Sequence, residues 1–402
     1  MTNDNQHIPS GYKSSPLGII PEDWEVKRLG EVCTFHNGRA YSQKELLSSG
    51  KYRVLRVGNF FTNSSWYWSD MELEDDKYAN NGDLLYAWSA SFGPRFWDGE
   101  RVIYHYHIWK IDSFNKISKD FLYSFLLYDA TKLTNTLQGG TMTHVTKENM
   151  EKRSIAVPPL PEQQRIVSVL SLWDTAIAKQ TALIEQLTLR KRGLMQQLLT
   201  GKKRLKGFEG EWKEVRMQDL ASFAGGGTPS TKRSDFWEGT IPWISSSDLV
   251  EDCLTNNESR YITEEAIANS TTQLLPSKSI LIVTRVGVGK VAIAEHPICV
   301  SQDFTCLTKY DADTLFLAYS LLLTMKKKKS QSQGTSIKGV STDEISKIKL
   351  LLPSIEEQKA IASVLINADK EIEIQKQKLA AMQEQKKGLM QVLLTGKRRI
   401  KT

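Results

Sequence analysis

The chain has 402 residues, 40% of them apolar and 25% charged, enough to bury substantial cores in more than one domain. The net charge of +7 and a pI of about 9.0 suit a polyanion partner without deciding for one. No apolar run reaches the length of a membrane span, the N-terminus MTNDNQHIPS lacks a signal peptide's order of basic then apolar residues, and Cys33, Cys253, Cys299 and Cys306 show neither a CxxC pair nor zinc spacing. The expectation is a soluble cytoplasmic protein with free thiols and no metal site.

Residues 1 to about 155 read as mixed α/β. Runs such as DLLYAWSA (83–90) and RVIYHYHIW (101–109) have strand character, and NGR (37–39) and SSG (48–50) punctuate them. Arg39, Lys44, Arg53, Arg56, Asn59, Ser89, Ser91 and Arg95 lie in or beside these turns. Arginine paired with guanine and asparagine paired with adenine specify sequence, and lysine mostly holds phosphates; a solvated surface charge is the bland alternative for each. His105 and His107 alternate along an expected strand and would share a face, without a carboxylate or cysteine at metal spacing. Six tryptophans, Trp24, Trp66, Trp68, Trp88, Trp97 and Trp109, precede residue 110; core packing accounts for most, with stacking on an unpaired base open to one or two. The region ends in QGGTMTHV (138–145), whose Thr141 and Thr143 either contact DNA or simply form a turn.

After PPLPEQQ (158–164), the positions Ile166, Leu170, Trp173, Ile177, Gln180, Ile184, Leu187, Lys191, Leu194 and Leu198 step by four and three, a heptad seam on one long helix. Pro161 and Glu162 suit its first turn and Gly201 its stop, and residues 161–199 would rise roughly 60 Å at about 1.5 Å per residue.

A second mixed α/β region follows, from 206 to about 350. It contains the turn GGGTPS (225–230) and the run SILIVTRV (279–286), and its candidate contacts are Thr228, Lys232, Arg233, Ser245, Ser246, Arg285 and Lys290. It too ends in a polar loop, QGTSIKGV (333–340), with Gln333, Thr335 and Lys338. The heptad seam then returns as Ile361, Leu365, Ala368, Ile372, Gln375, Leu379, Met382, Lys386, Leu389 and Leu393, each 195 positions after its counterpart. The tail GLMQVLLTGKRRI from Gly388 repeats GLMQQLLTGKKRL from Gly193 at ten of thirteen positions. Upstream the offset slips to 188, as Trp24/Trp212 and Arg28/Arg216 show. The chain is thus a duplicated frame carrying two dissimilar inserts, suited to recognising two different things.

Each seam's natural partner is the other. A parallel pair would set Lys191 against Lys386 and Gln180 against Gln375; an antiparallel pair is expected instead, with each polar residue facing an apolar stretch. The basic runs RKR (190–192), KKRLK (202–206), KKKK (326–329) and KRRIK (397–401) read as solvated faces, or as grips on backbone phosphates at the helix ends.

Catalytic patterns are missing. GVGK (287–290) has Val291 where a phosphate loop needs Ser or Thr and lacks the upstream glycine; the triple glycine at 225–227 leads into Thr-Pro; the sole Pro-Pro, at 158–159, sits between Val157 and Leu160 and belongs to no amino-methyltransferase tetrapeptide.

GYKSSPLGIIPEDWEVKRLGEV, GGGTPSTKRSDFWEGTIPWISSSDL, the PPLPEQQRI junction with its second copy LPSIEEQKAI, and the doubled GLMQ-LLTGK tail together resemble the specificity subunit of type I restriction-modification systems over nearly the whole chain. The resemblance implies an α/β (α+β) chain with two target-recognition domains, 1–155 and 206–350, and two conserved spacer helices, 156–205 and 351–402. Each domain would read one half of a bipartite, asymmetric DNA site. The helices would set the spacer, so that one heptad inserted after Gln180 would change the gap alone. It further implies no catalysis and no cofactor in this chain. S-adenosylmethionine, ATP and magnesium would belong to the partners, two methyltransferase subunits and up to two motor-nuclease subunits. Replacement of Pro161 and Arg165 by Glu356 and Ala360 implies a weaker start to the second helix. A stand-alone DNA-binding protein and a scaffold without nucleic acid are the rival readings.

Overall fold

The computed structural model describes residues 8–61, 64–89, 92–137, 145–251, 254–331 and 339–400. Contacts divide the chain into two compact units, Met1–Lys179 with Lys378–Thr402, and Gln180–Gln377. Each unit therefore contains one variable region, part of the first long helix (Leu160–Leu198) and part of the second (Ile355–Leu393). Among the described residues, no helix is long and apolar enough to cross a membrane.

Every position of both seams is buried or half-buried. In each unit the helix segments run antiparallel: Lys386 pairs with Asp174 in the first, and Lys191 with Asp369 in the second. The polar seam residues do not face apolar stretches, as the sequence suggested. Each lysine meets a carboxylate, because a nearly buried ammonium is tolerable only beside a countercharge. Gln180 still meets Gln375, Nε2 to Oε1 at 2.8 Å, because both sit near the middle of equally long helices and central residues coincide in either direction.

The second helix starts at the position equivalent to the first despite Glu356 and Ala360, and both span 39 residues. One cause is the residue pair that follows Pro161 and Glu356. Gln163 Nε2 donates to Pro158 O at 2.8 Å, and its Oε1 accepts the Ser118 amide at 2.7 Å. Gln358 does the same with Pro353 O at 3.0 Å and the Asp313 amide at 2.9 Å. Both helices stop alike: Gly201 and Gly396 take φ of 69° and 71°, and the amides two residues on, Lys203 and Arg398, return to Gln197 O and Val392 O at 3.1 Å. Only glycine enters that left-handed region without a Cβ penalty.

Each variable region leaves and re-enters this frame through a two-stranded antiparallel ribbon, Glu25–Arg28 with Ser154–Val157 and Lys213–Arg216 with Lys349–Leu352. The ribbons close identically: the Leu29 amide donates to Arg153 O and the Met217 amide to Ile348 O, both at 2.9 Å. Inside, the first region builds one four-stranded sheet in the order Thr34–Asn37, Ile108–Asp112, Leu84–Ala87, Gly93–Phe96, and another in the order Tyr67–Ser69, Tyr52–Leu55, Val102–Tyr104, Tyr78–Ala79. The second region repeats the scheme with Ala221–Gly225, Phe304–Tyr310, Ile280–Val283, Val291–Ile293, and with Arg260–Ile262, Ile241–Ile244, Cys299–Val300. A helix, Lys119–Leu137 or Thr314–Gln331, follows in each.

RVIYHYHIW is therefore not one strand. Val102–Tyr104 belongs to one sheet and Ile108–Asp112 to the other, so residues 105–107 form the crossing between them. The cores are separate too. Trp24, Phe35, Trp109 and Phe121 centre the first with Ile166 and Leu393; Phe316, Tyr319 and Leu322 centre the second with Leu198 and Ile361. Cys33, Cys299 and Cys306 are free and buried, and burial pushes the Cys33 thiol up to about 12 and that of Cys299 to about 11. Cys253 lies outside the described residues.

Candidate nucleic-acid interface

In the first unit two of the candidate residues meet at one cavity of about 480 Å³. Arg56, in the exposed turn after strand Tyr52–Leu55, and Asn59, in the short helix Val57–Phe61, line it with Trp66, Tyr67, His105 and His107. The Arg56 guanidinium lies over the Tyr67 ring at 5.2 Å, and Asn59 Nδ2 donates to Ser65 O at 2.6 Å. Arg95 supports the site from behind, its Nη1 donating to Phe60 O at 2.6 Å. Burial, with smaller contributions from His107 and Arg56, lowers the pKa of His105 to about 4, so its imidazole is neutral near pH 7. A neutral ring offers one donor and one acceptor, which suits a base edge.

The remaining candidates of this unit are dispersed. Arg39 is tied to Glu45 at 2.7 Å, and this bond, with Ser42, holds the Glu45 carboxyl down to about 2. Arg53 lies over the Trp66 and Trp68 rings at 5.5 and 5.1 Å, its Nε buried without a hydrogen-bond partner among the described residues. Lys44 is exposed and Ser89 half-buried.

In the second unit Ser245 and Ser246 follow strand Ile241–Ile244. Ser245 Oγ accepts from Arg260 Nη2 at 2.7 Å; Arg260 also pairs with Asp248, whose Oδ2 takes the Ser245 amide at 2.7 Å. Ser246 is buried. Lys290 is turned inward, its ammonium donating to Ser246 O at 3.2 Å and Leu249 O at 2.8 Å, so it positions this turn. Thr228 donates to Gln302. Arg233 is held by Asp235 at 2.5 Å and Glu265 at 3.1 Å, while Lys232 and Arg285 are exposed. Gly287 and Gly289 take φ of 86° and 106°, making GVGK a tight turn. Ser91, Thr141, Thr143, Gln333, Thr335 and Lys338 lie outside the described residues.

Sequence reasoning named Trp66 only among six tryptophans, missed Tyr67, Arg260 and Gln302 as neighbours of these turns, and treated His105 and His107 only as a metal question. The signal for the histidines was present in the clustered YHYH. The positions of Arg260 and Gln302 depend on strand pairings that no local pattern displays.

The model of the type I restriction modification DNA specificity domain matches residues 21–189 and again 209–384. The type I restriction enzyme MjaVIII specificity subunit of Methanocaldococcus jannaschii is 27% identical over 409 residues, covering 95% of this chain and 94% of the relative. Two solved structures share the fold. The S subunit of a type I restriction-modification system from M. genitalium has a TM-score of 0.53 at 14% identity, covering 92% of this chain and 96% of that one. A chain from a study of complex assembly and conformational transition of the type I R-M system has a TM-score of 0.63 at 18% identity, covering 94% and 99%. With two domain matches that coincide with the two halves of the duplication, this chain belongs to the type I restriction modification DNA specificity family.

Proposed function

We propose that this chain is the DNA-recognition subunit of a type I restriction-modification complex, each variable region reading one half of a bipartite site. The observation that carries the reading is a duplicated scaffold, matched twice by the family model, that presents a different set of polar side chains in each copy. Two dissimilar readers in one polypeptide suit an asymmetric two-part sequence. Equal helix lengths suit a fixed gap between the halves.

The chemistry belongs to partners in this reading: two methyltransferase subunits that use S-adenosylmethionine and up to two motor-nuclease subunits that use ATP and magnesium, all in the cytoplasm, with no cofactor or catalytic step in this chain. Apolar side chains left exposed on the long helices, Leu172, Leu189 and Ile374 among them, give such partners a surface to cover. The tightest part of the basic tails is already engaged, since Arg204 and Arg399 bind internal carboxylates.

Genome-wide adenine methylation, mapped by long-read sequencing with a methyltransferase subunit alone and then with this chain added, tests the function. Methylation confined to one two-part sequence with a constant gap, present only with this chain, is the expected result. Association of both subunits without new methylation contradicts it.

A further inference from the structure

The two variable regions have hardly any alignable sequence between their anchors, yet at one place they share the same backbone pairing. Each contains one parallel strand pair among its named strands: Val102–Tyr104 beside Tyr52–Leu55, and Cys299–Val300 beside Ile241–Ile244. Register equates Leu55 with Ile244 and Tyr104 with Val300. Beyond the strands the match continues. The His105 amide donates to Leu55 O at 2.9 Å, and the Ser301 amide to Ile244 O at 2.9 Å. A Cβ on Gly38 would collide with His105 O, and one on Gly226 with Ser301 O, so both copies bring a glycine backbone against the same crossing.

On this shared backbone the side chains differ in kind. The turn after the first strand carries Arg56 and Asn59 in one copy and serines with Asp248 in the other; the crossing carries His105 and His107 in one, Ser301 and Asp303 in the other. A purely structural turn would be held by similar residues in both copies. Fixed backbone with exchanged hydrogen-bonding chemistry is what a reading surface requires. The place itself is favourable, since the carboxyl ends of parallel strands leave turns free to meet a ligand.

We propose that these two turn pairs are the base-reading elements, with Arg56, Asn59 and His107 reading one half-site and Ser247, Arg260 and Gln302 the other. This rests on the DNA-reading function above. Arg56 is exposed and steered by the Tyr67 ring, and Arg260 lies over the Trp243 ring at 4.6 Å, steered by Ser245 and Asp248. A guanidinium so oriented addresses guanine O6 and N7, and the amides of Asn59 and Gln302 address adenine N6 and N7.

The test maps adenine methylation for the full chain with a methyltransferase subunit, comparing the unsubstituted chain with Arg56→Ala, Gln302→Ala and Lys309→Ala. Arg56 and Gln302 are exposed, so their loss leaves the cores intact. Arg56→Ala should lower discrimination about tenfold at one position of one half-site, and Gln302→Ala should do so at one position of the other half. Lys309→Ala, exposed on strand Phe304–Tyr310 and outside both turns, should leave every position unchanged. Chain-dependent methylation whose base preferences survive both turn substitutions overturns this inference alone, and so does a uniform loss across all sequences, which marks a phosphate contact. Absence of chain-dependent methylation with the unsubstituted chain overturns the DNA-reading function, and the inference falls with it.

Discussion

Arg204 holds Glu357 by two hydrogen bonds, Nε to Oε1 at 3.0 Å and Nη2 to Oε2 at 2.6 Å, and Arg399 holds Glu162 in the same manner at 3.1 and 2.6 Å. Each arginine follows the stop of one long helix, and each glutamate sits in the first turn of the other. The pairs are separated by the period of the duplication, so each unit carries one such clamp. Glu162 also accepts from Trp24 Nε1 at 3.1 Å, and Arg399 reaches Asp23 at 2.8 Å.

Loss of such a clamp destabilises its own unit. Arg399→Met leaves the buried Glu162 without its charged partner and should cost about 2 kcal/mol of unfolding free energy in denaturant titration. Arg204→Met should lower the stability of the second unit in the same direction. No change with either variant would show the pairs to be ornamental.

The two seam lysines should behave differently. Asp369 is only 20% exposed and also accepts from Tyr319 at 2.6 Å, whereas Asp174 beside Lys386 is 60% exposed. Asp369→Leu leaves Lys191 buried without its carboxylate and should cost about 3–5 kcal/mol; adding Lys191→Met should restore most of that. Asp174→Leu leaves Lys386, 13% exposed, able to reach solvent where Lys191 is not, and should cost less, about 1–2 kcal/mol. Chemical denaturation of these variants reads all three.

Lys326, in helix Thr314–Gln331, has its pKa lowered to about 8 by burial and by Arg192 and Lys191. The unfolded chain keeps the ordinary, higher value, so between about 8 and that value the unfolded state binds more protons and stability rises with pH. Below about 8 both states are protonated and the penalty is constant. Thermal melts from pH 7 to 10 should show a smaller gain for Lys326→Met, which should also melt higher at pH 7. Equal pH dependence in the two proteins would contradict the shift.

A heptad inserted after Gln180 alone should fail as a ruler. Asp174 and Lys191 are as far apart along the first helix as Lys386 and Asp369 along the second, so lengthening one helix breaks a lysine pair and a terminal clamp. Heptads inserted after both Gln180 and Gln375 should keep the melting temperature and shift the gap in the methylated sequence. An unchanged gap would remove the helices from any part in spacing.

The duplication, both helices, their glycine stops and their antiparallel pairing were legible because they rest on periodic or repeated residues close in sequence. What each polar seam residue meets was not, because Lys191 and Asp369 are distant in the chain and the seam reveals only its own stripe. The same limit hid the clamps: Arg204 and Arg399 looked like members of solvated basic runs, and only folding brings a carboxylate to each. His105 misled through its neighbours. The alternation around it is strand-like, but the chain must there pass from one sheet to the other, a demand set by the pairing of Tyr104 and His105 with Leu55 that no local pattern carries.

The central claim, that each variable region is an independent reader set into a common frame, is tested most directly by replacing residues 217–348 with a second copy of 29–153. The junctions are supplied by the equivalent closures Leu29 to Arg153 and Met217 to Ile348. Methylation mapped in a host expressing this chain with a type I methyltransferase subunit should then show the first unit's half-site in both halves of the sequence. Retention of the original second half by a folded, assembled protein would contradict the account.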